Sequence, residues 1–269
     1  MQRELYIIFS IYAFAMGAAT GSFLNVVIWR TPRGESIVRP PSHCPKCGAR
    51  IRWWQNLPIL SWLMLRGKCA NCKKPISPRY ILVESLVAVL FLLAWYKYGV
   101  LAPFMWVWLS LMVVGSFIDY DLQVLPDFVT VGGMIYGVAL SVLGIVFLHW
   151  PATELFVSLG GLAAGFGVMW LIRYLGTKAF KREAMGMGDV FLMGAIGAIF
   201  GPVAACFTLM AAAVVGSIAG LGMIALNKAR LGKFVAIPFG PYLCAGCTVW
   251  MFWGPQILDW YFALLGLRA

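Results

Sequence analysis

The stretch MGDVFLMGAIGAIFGPVAACFTLMAAAVVGSIAGLGMIAL, residues 187–226, runs for 40 residues with a single charged side chain, Asp189. A helix that crosses a bilayer needs about 20 mostly apolar residues, so this run is long enough for two. Its one break is Gly201-Pro202. Helices usually end before a proline, so the stretch predicts a tight hairpin of two spans; one long kinked segment is the alternative. Working outward, further apolar runs fall at about 5–29, 81–99, 101–118, 128–149, 154–175 and 238–254. With 187–201 and 203–226 counted separately, the expected fold is an all-α polytopic membrane protein of about eight transmembrane helices.

Composition agrees with that reading. Hydrophobic residues make up 62% of the 269 and charged residues 12%, with a mean hydropathy of +0.85, whereas a soluble domain carries roughly 25% charged residues. Disorder, collagen, coiled coil and a disulfide-stapled miniprotein are excluded on the same figures. An outer-membrane barrel is excluded because the apolar runs are continuous rather than alternating. The first run, Leu5 to Trp29, is too long for a signal-peptide core and has no small-residue cleavage site before Arg30, so it is read as a retained helix.

Lysine and arginine set the orientation. Of 21, eleven lie between Arg30 and Arg79, four between Arg173 and Arg182, and three between Lys228 and Lys233. Eight spans place those 18 on one side and leave Arg3, Lys97 and Arg268 opposite. By the positive-inside rule the charged loops face the cytoplasm and both termini face out.

The Arg30–Arg79 loop is the one sizeable soluble element. It contains Cys44-Pro-Lys-Cys47 and Cys69-Ala-Asn-Cys72, two Cys-x-x-Cys pairs with residues 48–68 between them. Two such pairs close a tetrahedral site; four sulfurs suit zinc best, with iron or two disulfides as alternatives. A reducing cytoplasm disfavours disulfides. A metal also gives a fold to a loop too short to build its own core. His43 adjoins a shell that four thiolates already complete, and Cys206, Cys244 and Cys247 are read as packing residues within spans.

Only ten acids occur, and Asp119, Asp121, Asp127 and Asp189 all lie at ends of apolar spans. Ionisable residues at membrane depth are costly, so each is a site hypothesis. The predicted topology puts all four at cytoplasmic helix ends, where they can converge. Asp119 closes an unbroken apolar run; Asp189 follows Gly186-Met-Gly188, where glycine permits close backbone approach. Two carboxyls within a few ångströms cannot both ionise and so share a proton, as a dyad that activates water must. The two histidines, His43 and His149, offer no partner for a nucleophilic serine or cysteine. Simpler roles stand beside these: Asp127 after Pro126 complements a helix dipole, Asp189 caps its helix, and Asp121 is a solvated loop charge.

The sequence resembles the type IV prepilin peptidases, bifunctional leader peptidases and N-methyltransferases of the Gly-x-Gly-Asp class of intramembrane aspartic proteases. The resemblance is carried by Gly21-Ser-Phe-Leu-Asn25, Cys44-Pro-Lys-Cys47, Asn56-Leu-Pro-Ile-Leu-Ser61, Gly67-Lys-Cys69, Cys72, Pro75-Ile-Ser77, Arg79-Tyr80 and Val83-Glu84. It continues through Ile118-Asp119, Leu125-Pro-Asp127, Gly186-Met-Gly-Asp189 and Ile237-Pro-Phe-Gly240. These span nearly the whole chain in family order. The resemblance implies that Asp119 and Asp189 are the catalytic pair. It implies cleavage of prepilins and pseudopilins after a glycine that ends a short basic leader, then methylation of the new amino terminus from S-adenosylmethionine. It also ties the cysteine loop to methyl transfer. Two positions depart from the family pattern: Phe191 stands where a basic residue often follows the motif, and Ala184 stands where a glycine commonly precedes Met-Gly.

The expected organisation is therefore a first transmembrane helix at 1–29, a cytoplasmic metal-binding loop at 30–79 and a transmembrane aspartic peptidase at 80–269, in a bacterial inner membrane. Glu84, one turn into the second span, is a candidate partner for a substrate amine or a basic side chain. Three rival functions remain at this point: a proton-coupled transporter, whose acids belong nearer the bilayer midplane; a thiol oxidoreductase, whose cysteine pairs belong on the oxidising side; and a tethered nucleic-acid binder, which leaves the aspartates unexplained. No nucleic-acid partner is expected.

Overall fold

The computed structural model describes residues 2–183, 185–225 and 238–266. Ala184, Ile237, Arg268 and the basic segment Lys228 to Lys233 fall outside the described residues. The described chain is almost entirely helical: α1 (Gln2–Arg30), α2 (Leu60–Met64), α3 (Arg79–Tyr98), α4 (Ala102–Leu122), α5 (Asp127–Leu148), α6 (Thr153–Phe180), α7 (Met187–Ala225) and α8 (Gly240–Leu264). It divides into two compact units, Met1–Val114 and Gly115–Ala269.

In the first unit α1 and α3 pack antiparallel through small residues. A Cβ added to Gly17 would lie 2.7 Å from the Ala88 Cα, and one added to Gly21 would lie 2.7 Å from the Glu84 Cα. Ascending numbers on one helix meet descending numbers on the other, and the backbones touch where glycine leaves room. A short 3-10 turn, Gly99–Leu101, reverses the chain into α4. There the Trp106 indole N–H donates to the Phe91 carbonyl at 3.0 Å, and the two rings stack at 5.0 Å.

The second unit is held by glycine and serine seams. Gly133, Gly137, Ser141 and Gly144 are buried along α5, and Ser158, Gly161, Gly165 and Met169 along α6. These intervals of three and four residues set one small face per helix. Gly161 and Gly197 meet backbone to backbone, and the Ser158 hydroxyl donates to the Ala198 carbonyl at 2.7 Å.

The helix Met187–Ala225 doubles back on itself. Gly201 leaves helical geometry, with φ 83° and ψ 176°, immediately before Pro202. A Cβ on Gly165 would touch both the Met193 backbone and the Ala205 methyl. In an unbroken helix those two residues would stand about 18 Å apart at 1.5 Å per residue, so the chain must fold back between them.

Large apolar side chains point the other way, into the surroundings: Phe147, Phe156 and Met210 are 71%, 74% and 70% exposed. Small residues inside and large ones outside is the arrangement expected where lipid covers the surface. Among the described residues, five helical stretches are long and apolar enough to cross a membrane: Glu4–Arg33, Arg79–Leu122, Asp127–Leu148, Thr153–Phe180 and Met187–Met223. Two of these, 44 and 37 residues long, contain the breaks at 99–101 and at Gly201. The last helix, expected to end near 254, continues through Pro255 to Leu264. It is not among the five, because Gln256, Asp259 and its glycines, prolines and Trp and Tyr residues lower its hydropathy.

Candidate active site and metal centre

Asp119 sits in the last turn of α4 and Asp189 in the first turn of α7. Both are buried, at 5% and 8% exposure. Glycine explains how helices so distant in sequence reach one place. A Cβ on Gly188 would lie 2.8 Å from the Leu125 Cβ, so the start of α7 fits against the α4–α5 turn only without a side chain there. Gly115 faces Val129 with the same economy, at 2.9 Å. Ahead of the motif, Arg173 pairs with Glu183 at 3.1 Å, and its Nε–H donates to the Met185 carbonyl at 3.0 Å. The end of α6 thereby holds the segment that leads into Gly186.

The two carboxyls interact electrostatically. The Asp119 Oδ2 accepts the Gly240 backbone N–H at 2.9 Å, a donor presented by the first residue of α8. The Asp189 Oδ1 is buried with no hydrogen-bond partner among the described residues. A carboxyl oxygen in that condition has an acceptor or donor position open for water or substrate.

Two members of this site were not singled out from sequence. Gly240 appears there only as part of a motif, and Cys244 is read as packing. The structure places the Cys244 thiol, 3% exposed, within electrostatic reach of both aspartates and in hydrogen-bond contact with Ser116. One helical turn separates 240 from 244, and Ser116 lies three residues before Asp119; those spacings were the available signal. A Cβ on Gly240 would lie 2.7 Å from the Asp119 Oδ2 and 3.1 Å from its Cγ. We therefore expect Gly240→Ala to displace the carboxyl and lower kcat for peptide cleavage by about 100-fold, the effect of a misplacement near 1 Å. An unchanged kcat would show that the carboxyl is not held at this point.

Of the other predicted acids, two belong to this unit and neither is buried. Asp127 is the first residue of α5 and is exposed, where a carboxylate complements the helix dipole. Asp121 is exposed one residue from the end of α4. Glu84, in the other unit, is buried, and its Oε2 accepts the Ile59 backbone N–H at 2.7 Å.

The loop sulfurs converge. The Sγ atoms of Cys44, Cys47, Cys69 and Cys72 all lie within 4.8 Å of one another, with Cys44 to Cys72 at 4.0 Å. A tetrahedral zinc with bonds of about 2.3 Å puts its sulfurs about 3.8 Å apart, whereas a disulfide needs about 2.05 Å. All four thiols are free, and the set fits a tetrahedral metal. Each knuckle is tied by an antiparallel bridge, His43 with Arg50 and Lys68 with Pro75. Backbone N–H groups aim at the sulfurs. The bond from Ala49, with the Asn71 side chain, lowers the Cys47 thiol. Those from Cys72 and Asn71 bring Cys69 down to about 6. The Lys74 N–H pulls Cys72 in the same direction, but burial and the neighbouring sulfurs outweigh it and push Cys72 up to about 11. N–H groups turned toward sulfur favour thiolates, the form that ligates metal.

Comparison with known proteins shows which family the chain is similar to. Residues 106–221 match the type IV leader peptidase family, and residues 15–98 match the bacterial peptidase A24 N-terminal domain. A prepilin leader peptidase/N-methyltransferase of Pseudomonas putida is 33% identical over 94% of this chain and 94% of its own length. That of Aeromonas hydrophila is 35% identical over 92% of each chain. That of Myxococcus xanthus is 41% identical over 84% of this chain and 66% of its own length. No solved structure matches the chain. A doubly buried aspartate pair, a four-cysteine loop and this similarity along almost the entire length have one common source: the chain belongs to the type IV leader peptidase family.

Proposed function

We infer that this chain is a prepilin leader peptidase and N-methyltransferase of the bacterial inner membrane. It removes the basic leader from prepilins and pseudopilins after a glycine, then methylates the new amino terminus. The observation that carries the peptidase reading is the burial of Asp119 and Asp189 together at helix ends, with the Gly240 N–H on one of them.

In this reading the substrate's apolar helix lies among the spans and its leader stays at the cytoplasmic face. Asp119 and Asp189 share one proton. The ionised partner takes a proton from water, whose oxygen adds to the scissile carbonyl carbon. The protonated partner donates to the carbonyl oxygen, and the tetrahedral adduct collapses: the carboxyl that took the water proton passes it to the leaving nitrogen, the C–N bond breaks, and the adduct's hydroxyl returns a proton to the other aspartate. No acyl-enzyme forms. The position of the acids at helix ends, beside turns, favours this over a proton-coupled transporter, whose sites lie at interrupted helices near the midplane.

Methylation belongs to the Arg30–Arg79 loop. Cys44, Cys47, Cys69 and Cys72 would hold zinc, which gives the loop its fold. S-adenosylmethionine, when bound, supplies an electrophilic methyl group to the new terminal amine. Peptide cleavage is assigned to residues 80–269, and residues 1–29 form the first span. Splitting Arg79–Leu122 at the 99–101 turn and Met187–Met223 at Gly201, and adding α8, makes eight crossings. Both termini then face outward, with the cysteine loop and the aspartates cytoplasmic.

The test is to incubate purified enzyme with a prepilin, with and without S-adenosylmethionine, and to read the product's amino terminus by mass spectrometry. Loss of the leader in both samples and a gain of one methyl group only with the donor are expected. Recovery of intact prepilin in both would overturn the reading.

A further inference from the structure

Between the two cysteine knuckles the chain makes an unusual turn. Ile59 has φ 61° and ψ −55°, and the Leu60 N–H donates to the Pro58 carbonyl at 2.5 Å. This is a three-residue γ turn of the positive-φ kind, a rare and strained conformation. For a β-branched residue it is an outlier that persists only where its surroundings over-determine it.

Besides the backbone bonds from Ser61 to Leu57 and from Leu63 to Ile59, one buried carboxyl meets this turn. Glu84, 8% exposed, accepts the Ile59 N–H on Oε2 at 2.7 Å and is hydrogen-bonded by the Ser22 hydroxyl. No cation pairs with it among the described residues, so the basic-side-chain partner considered from sequence is replaced by a backbone N–H. The seat itself is rigid. Gly21 admits Glu84 because it has no side chain. The Asn25 amide donates to the Gly21 and Tyr80 carbonyls, at 3.2 Å each, clamping α1 to α3 at the same level.

We propose that Glu84 is a positioning residue for methyl transfer: it seats the Asn56–Ser61 turn of the cysteine loop on the α1–α3 pair through the Ile59 N–H. The metal closes the loop on itself, and Glu84 joins the closed loop to the membrane helices. Neither substitutes for the other, because the sulfurs cluster among themselves and the carboxyl's bond to the loop is made at the turn. This rests on the reading that the chain methylates the pilin it cuts.

The test uses full-length enzyme in detergent or vesicles, a prepilin and a pre-cut pilin. Glu84→Ala is expected to lower methylation by about 100-fold, as a 1 Å misplacement does, while leader removal and metal content stay at the wild-type level. Glu84→Gln keeps an acceptor oxygen for the Ile59 N–H and should restore most of the methylation. Glycine adopts positive φ freely, so adding Ile59→Gly to Glu84→Ala should also recover part of the methylation, whereas a carboxyl acting directly on the amine would not be replaced this way. Wild-type methylation by Glu84→Ala, or loss of metal along with methylation, overturns the proposal. So does failure of both rescues. If the wild-type enzyme cuts but never methylates, the functional reading of the loop fails instead, and the two failures are distinguished by the wild-type control.

Discussion

Asp119→Asn and Asp189→Asn are each expected to stop leader removal while a pre-cut pilin is still methylated. Asparagine matches aspartate in shape and retains an acceptor oxygen, so Asp119→Asn keeps the Gly240 N–H bond seen at 2.9 Å and leaves the entry of α8 undisturbed. What it removes is the exchangeable proton. A positioned acid or base contributes typically 10²–10⁴-fold, and neither member of a pair that shares one proton works alone, so each single variant should lose about 10⁴-fold in kcat. Non-additivity is part of the expectation: the double variant should be no slower than either single one. Methylation survives because the Arg30–Arg79 loop lies in the first compact unit and both aspartates lie in the second. Single-turnover cleavage of a prepilin, with mass spectrometry of both products, checks this. Full cleavage by both single variants would falsify the assignment.

Cys44→Ser and Cys72→Ser are each expected to release the loop metal and with it the fold of residues 30–79. The loop has little else to hold it. Its exposed side chains include Val38, Trp53 and Met64, and of its hydrophobic residues Cys44 itself is the buried one. Structural zinc sites of this kind contribute roughly 10–16 kcal/mol of apparent binding free energy at neutral pH, more than such a short segment obtains from apolar burial. Purified wild-type protein should carry one metal per chain by elemental analysis. Each serine variant should lose it and become sensitive to limited proteolysis within 30–79. Methylation should fall below detection while leader removal persists. Metal-free wild-type protein with oxidised cysteines would contradict the knuckle geometry.

Part of this was readable from residue order because the physics is local. A bilayer demands about 20 apolar residues per crossing, and that demand is met by contiguous runs, so helices appear in a string of letters without any knowledge of packing. The paired Cys-x-x-Cys spacing is equally local: each knuckle is a turn of a few residues whose backbone N–H groups face its own sulfurs. The rarity of acids also drew attention to Asp119 and Asp189, since a carboxyl next to hydrocarbon is retained only where it does something. The Gly240 N–H, by contrast, meets Asp119 across 121 positions; the motifs around each residue mark both segments without pairing them. Cys244 shows the same limit, because a thiol in an apolar run packs or flanks a site according to which helix face meets which.

Residue order alone thus determined the membrane class, the metal loop and the two acids, because hydropathy, ligand spacing and charge scarcity are properties of short segments. Only the tertiary structure decided between the expected hairpin and one long kinked segment at Gly201, and only it showed that α8 presents a backbone donor to Asp119 and that Glu84 accepts the Ile59 N–H of a positive-φ turn. Each of these depends on glycine-lined contacts between helices far apart in the chain, where the absence of a side chain matters only once the opposing backbone is in place.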